Sequence, residues 1–129
     1  TLHETDENTL ADSIAVGIPR NPVKGLRAVT ASDGAYITVS DKAILTAIGS
    51  LGKTEGIFTE PAAAAPIAGL KKAVETALIK KHESVSVILS GNGLKDTDSV
   101  KDVLPAPAKL DNDIDALHKH LKTRGGNTV

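Results

Sequence analysis

The chain has 129 residues and a formal net charge of −1. That is enough for one domain, and a domain of this size buries roughly 65–70% of its unfolded surface. Charges of both signs are interleaved, which excludes a basic stripe for nucleic acid, and Tyr36 and Phe58 are the only aromatics available to stack on bases. Cysteine is absent, so neither a disulfide framework nor a thiolate metal site is available. No apolar run approaches the roughly 18 residues of a membrane span, and no signal peptide is expected at the start. The core must be built from Ala, Val, Ile and Leu, and the expectation is a soluble, cytoplasmic α/β protein without nucleic-acid or membrane partners. The chain also lacks methionine and reads as a portion of a longer protein.

Residues 1–8 are polar and acidic and read as a disordered lead-in. Residues 10–16 are short and mixed. Asn21-Pro22 reads as an N-cap with proline at the first helical position, and Val23, Leu26, Arg27 and Val29 suggest a helix from Pro22 to Ser32, stopped by Asp33-Gly34. Ala35 to Val39 is strand-like. Ser40 or Asp41 caps the next helix, whose Ile44, Leu45, Ile48 and Leu51 follow helical spacing, with Gly52 as its end.

Ile57-Phe58-Thr59 is a very short apolar piece with strand character. Glu60-Pro61 opens an alanine-rich helix from Ala62 to about Leu78, with Pro66 expected within the first turn or so, where a missing N–H costs least. Val85 to Leu89 is β-branched and apolar, the pattern of a buried parallel strand. Pro105 and Pro107 stiffen a connector. Leu110 to Leu121 reads as an amphipathic helix with Asp111 or Asn112 near its start, and Lys119, Lys122 and Arg124 near its end, in the order that complements the helix dipole. The tail from Gly125 is expected to be loose. Helices alternating with strands predict an α/β layer structure.

The stretch that carries chemistry is Ser90 to Asp96, SGNGLKD. It follows a predicted parallel strand, at the sheet edge where ligands bind in open α/β folds. One hydroxyl at a strand tip, with Gly91 and Gly93 allowing close approach to the backbone, reads as a ligand contact. It is not a nucleotide P-loop. That motif needs four residues between its first glycine and Gly-Lys followed by Ser or Thr, whereas Leu94 separates Gly93 from Lys95 and Asp96 would repel phosphate.

Read together and in order, Thr9 to Val29, Ala35 to Leu45, Glu55 to Lys72 (EGIFTEPAAAAPIAGLKK) and Ser90 to Asp96 resemble the C-terminal part of the threonine synthase family. That family belongs to the tryptophan-synthase-β-like enzymes that use pyridoxal phosphate. The GNGLKD ending resembles threonine synthases more than the related threonine/serine dehydratases. The resemblance implies a three-layer α/β/α fold with a mostly parallel sheet, part of the large domain of a fold-type-II pyridoxal-phosphate enzyme. It implies a lyase that converts O-phosphohomoserine and water to threonine and phosphate. Residues 9–104 would be a partial cofactor domain, and residues 105–129 a connector, terminal helix and tail.

The resemblance also implies site residues. Ser90 stands where the family places a Ser or Thr hydroxyl on the pyridine nitrogen of the cofactor. Glu60 and Asn92 are further cofactor-side candidates. No lysine matches the family's Schiff-base motif and the phosphate-holding glycine loop is missing, so no catalytic residue is assigned within this chain, which alone is expected to be inactive. At Ala63 the family more often carries Gly or Ser.

Each candidate has a plainer reading. Ser90 can be a solvated turn serine. Asn92 can fix its own loop through side-chain to backbone bonds. Glu60 can satisfy the N–H groups of the helix it precedes. Lys95 and Asp96 read as loop-stabilising charges, and nothing desolvates Lys95 as a Schiff-base lysine would require. His3, His82, His118 and His120 form no metal set; the last two are two residues apart and face different sides of a helix. Two other functions remain open: a stand-alone α/β module that binds a small metabolite, and a piece that associates, with itself included, through an exposed sheet edge.

Overall fold

The structure, a computed structural model, describes residues 3–101 and 104–125. Four helices carry it: α1 (Pro22–Ala31), α2 (Asp41–Thr54), α3 (Pro61–Glu75) and α4 (Ile114–Gly125), with three short 3-10 turns at Asp12–Ile14, Gly93–Lys95 and Asp98–Val100.

The centre is α2 packed on α3. On α2, Ile44, Ala47, Ile48 and Leu51 are buried, the i, i+3, i+4, i+7 stripe of one helical face. Ile44, Ala47 and Ile48 cluster with Ala62, Ala64 and Ala68 of α3. Alanine faces let two helix axes approach closely, which is how a chain with 2% aromatics closes a core. Ala11 and Val100 complete the cluster from the two ends of the chain. The α2 cap is Ser40, whose Oγ accepts from the Ala43 N–H at 3.3 Å. Asp41 faces the other way along the chain. Its carboxylate accepts from Thr9 Oγ1 at 2.6 Å and from the Leu10 N–H at 3.1 Å, tying the leading segment to α2.

Helix ends differ from the sequence expectations in instructive ways. Helix α2 runs through Gly52 to Thr54, and the chain reverses at Gly56, which has φ +67°. Helix α3 stops at Glu75 rather than near Leu78. There the Leu78 N–H reaches Ala73 O at 2.8 Å and the Ala77 N–H reaches Val74 O at 3.1 Å, the paired bonds of a Schellman ending. Ala77 holds the left-handed position with φ +57°. Pro66 lies inside α3, five residues past Pro61, not in the first turn. It removes the bond Ala62 O would have received, on an exposed face. Helix α4 begins at Ile114 rather than Leu110, with the Asp113 carboxylate accepting from the Ala116 N–H at 3.1 Å at its start. The tail residues 126–129 lie outside the described residues.

The predicted strands differ most. Residues 35–39, 57–59 and 85–89 form no ladder among the described residues; the sole bridge is antiparallel, between Thr59 and Asn92. The parallel sheet and three-layer stack expected from the sequence are therefore not seen there, nor is the sheet edge expected to mediate association. The physical reason is that a strand, unlike a helix, cannot satisfy its own backbone and needs lateral neighbours. Segments 35–39 and 85–88 instead flank a groove of about 750 Å³ over the Ala65, Gly69 and Ala73 side of α3. The carbonyl of Thr38 finds a side-chain donor, Lys72 Nζ at 2.6 Å. Val85 and Ile88 are left 45% and 83% exposed, where a sheet strand would bury them.

Candidate functional site

Three segments meet at the N-terminus of α3: the short piece 57–60, the loop 90–96 and the turn at 12–14. The first two are held by a pair of backbone bonds around the Thr59–Asn92 bridge. The Glu60 N–H donates to Gly91 O at 3.2 Å and the Gly93 N–H donates to Phe58 O at 3.0 Å. The loop after residue 89 thus lies beside the segment that precedes Glu60.

Both loop glycines are there for close approach, but the approaching groups are the protein's own. A methyl at Gly91 would overlap the Glu60 carboxylate, and one at Gly93 would come 2.6 Å from the Phe58 ring. The expectation that these glycines open the backbone to a ligand is corrected accordingly.

Glu60 is buried, at 5% exposure. Its side chain makes no cap bond to α3; the Ala63 and Ala64 N–H groups donate to its backbone carbonyl. The carboxylate instead accepts from Ser13 Oγ at 3.1 Å and pairs with Lys95 Nζ at 3.2 Å. A buried carboxylate is tolerable only when its charge is matched and its oxygens are bonded, and this one has both. Lys95 is therefore committed to an ion pair, in line with the loop-stabilising reading.

Asn92 Oδ1 accepts from the Leu94 N–H at 2.9 Å, capping the short turn at Gly93–Lys95. Asp96 closes the loop: its carboxylate accepts from Ser99 Oγ at 2.6 Å and from the Ser99 N–H at 3.1 Å. These two bonds, the hydroxyl's first, hold its carboxyl below the ordinary carboxylate range. Ser90 stands at the front of this fixed loop and is exposed. Sequence reasoning missed Ser13, which nothing in its local context marks, and Thr59. The Thr59 hydroxyl is buried with no hydrogen-bond partner among the described residues; a polar residue ending an apolar piece was its one available signal. No group of three or more His, Asp or Glu side chains with metal-binding geometry occurs among the described residues. No helix among them is long and apolar enough to cross a membrane.

The arrangement presents an exposed hydroxyl, Ser90, at the front of a loop held by hydrogen bonds, with the nearby Glu60 carboxylate paired to Lys95. Comparison with known proteins places the chain in a family. The family described as pyridoxal-phosphate dependent enzymes matches residues 1–91, and this chain belongs to that family, whose cofactor is pyridoxal phosphate. Threonine synthase of Methanosarcina acetivorans is 40% identical over 118 residues, covering 92% of this chain and 29% of the relative. Threonine synthase of Methanocaldococcus jannaschii is 40% identical over 114 residues, covering 88% of this chain and 28% of its own length. That of Halalkalibacterium halodurans is 38% identical over 118 residues, with 91% and 33% covered. The chain spans about a third of the length of these curated relatives, and the match falls in their C-terminal part.

Proposed function

We propose that this chain is the C-terminal part of a threonine synthase, a lyase acting on O-phosphohomoserine and water to give threonine and phosphate. The observation that carries the reading is the similarity to threonine synthases along nine-tenths of the chain, with the Ser90 loop fixed against segment 57–60. The residues present fit the cofactor in part. Ser90 offers an exposed hydroxyl to the pyridine nitrogen, and Asn92 and Glu60 shape the loop behind it. Pyridoxal phosphate, when bound, supplies an electron sink for substrate carbanions. Ser90 holds the ring's orientation through a neutral contact, and the lysine and phosphate loop of the full enzyme come from outside these residues.

On this reading residues 9–104 are a partial cofactor domain. The groove between 35–39 and 85–88 is filled by neighbouring strands, giving the mostly parallel sheet of the three-layer fold. The full enzyme would work in the cytoplasm. A stand-alone metabolite-binding module is less well supported, since the relatives run to about three times this length. Until the sheet is complete, unpaired 85–89 also gives the piece a route to self-association.

The test is complementation. Co-expression with the remaining N-terminal portion of the Methanosarcina acetivorans enzyme should restore formation of threonine from O-phosphohomoserine, and Ser90→Ala should cut it. Borohydride reduction of the assembled protein with pyridoxal phosphate should label a lysine of the N-terminal piece. Stoichiometric labelling of Lys95 or any other lysine of this chain would overturn the assignment.

A further inference from the structure

Glu60 has an unusual set of neighbours for a residue at a helix start. It is buried, bonded by Ser13 and Lys95, and its carboxylate fills the space that a side chain at residue 91 would need. Its backbone N–H holds Gly91 O. One residue, then, grips the chain position immediately after Ser90 through both its main chain and its side chain. Three separate parts of the sequence converge on it: the 12–14 turn through Ser13, the 90–96 loop through Lys95 and Gly91, and α3, which it precedes.

We infer that Glu60 is a positioning residue: with Ser13 and Lys95 it forms a clamp that fixes the Ser90 hydroxyl, without itself touching a ligand. The carboxylate sits behind Gly91, and Gly91 fits there because it lacks a side chain. Lys95 holds the carboxylate from within the same loop, so Glu60 ties loop residues 91 and 95 to the start of α3. Ser13 adds the leading segment, which Asp41 separately anchors to α2. The leading segment is thereby linked to the chain position after Ser90 through one carboxylate, that of Glu60. Lys95 is 61% exposed while Glu60 is 7% exposed by side chain, so Lys95 is the member that can be changed without opening the core.

This inference rests on the proposed function only for the meaning of Ser90; the clamp itself is tested without cofactor. In the isotope-labelled chain, amide exchange is followed at Glu60 and Gly93, and the chemical shift at Ser90. Glu60→Ala should speed exchange at both amides about tenfold, the equivalent of one net hydrogen bond, and move the Ser90 resonance. The α2 amides should be unaffected. Glu60→Gln keeps the shape and an accepting oxygen for Ser13 and Lys95, and should restore most of the Ser90 position. Lys95→Met should move Ser90 in the same direction by a smaller amount and leave the fold intact. Ser90 and Gly93 unmoved in Lys95→Met and Ser13→Ala, or Glu60→Gln no better than Glu60→Ala, would overturn the clamp. Titration with pyridoxal phosphate of the labelled chain assembled with the N-terminal portion of the Methanosarcina acetivorans enzyme separates the two ideas: a Ser90 resonance that ignores the cofactor there counts against the proposed function and leaves the clamp standing.

Discussion

The α2–α3 pair and the segments that flank it, 35–39 and 85–89, all carry apolar residues, the segments at higher density, and behave in opposite ways. The helices bury Ile44 and Ile48 against alanines, while Val85 and Ile88 stay exposed. Both regions want burial. The difference is the backbone: a helix bonds each N–H to a carbonyl four residues back, whereas a strand borrows its partners from another segment. Helices can therefore form from about a third of a relative's length, while strands wait for neighbours. The short piece 57–60 stands between these cases, since one antiparallel bridge and two backbone bonds to 91–93 are enough to hold it.

Substitutions sharpen that contrast, beginning with the central pair. Ile48→Ala removes a side chain with 1% exposure and should cost about 2–5 kcal/mol. That is a large share of the roughly 5–15 kcal/mol a domain possesses, and a urea titration would show it. Ile88→Ala, on the unladdered side, should change the midpoint little in this chain; an equal loss would mean 85–89 is packed after all. Gly93→Ala tests the intermediate region. The added methyl meets the Phe58 ring, and overpacking of this kind costs about 1–3 kcal/mol, read as a drop in Tm.

Smaller effects probe the helix ends. Ser40→Ala deletes the bond to the Ala43 N–H and should cost about 1 kcal/mol, visible by thermal melting. Ala77→Gly should do the reverse. Ala77 occupies a left-handed position, φ +57°, where a side chain costs about 1 kcal/mol, so the glycine variant should melt slightly higher. The smallest effect is one of pH. Asp96 is held below its ordinary value of 3.8 by Ser99. A depressed carboxyl stabilises above its unfolded pKa, and that contribution is lost as pH falls from about 3.8 through the folded value. Ser99→Ala deletes the hydroxyl's bond and keeps the N–H bond, so it should remove the larger share of this acid sensitivity, measured as the difference between wild-type and variant melting at neutral pH and near pH 3.

The candidate site was legible in the sequence by segment and less so by role. Ser90 is singled out because a β-branched run ends in a glycine turn; the pairing of its loop with the piece before Glu60 comes from the structure. Gly91 and Gly93 were recognised as places of close approach, but sequence does not say what approaches. The answer, Glu60 and Phe58, comes from residues more than thirty positions away. Ser13 was invisible for the same reason: an isolated serine in a mixed segment acquires meaning only through Glu60, 47 residues further on.

Local chemistry alone determined the helices. Apolar spacing set α2, Pro22 and Pro61 set first helical positions, and the alanine run set α3, because the bonds that build a helix lie within a few residues of one another. Tertiary packing decided the rest. It chose which of two caps serves α2, placed a carboxylate behind a glycine, and left two strand-like segments unpaired, because each of those outcomes depends on groups that the chain brings together only after it folds.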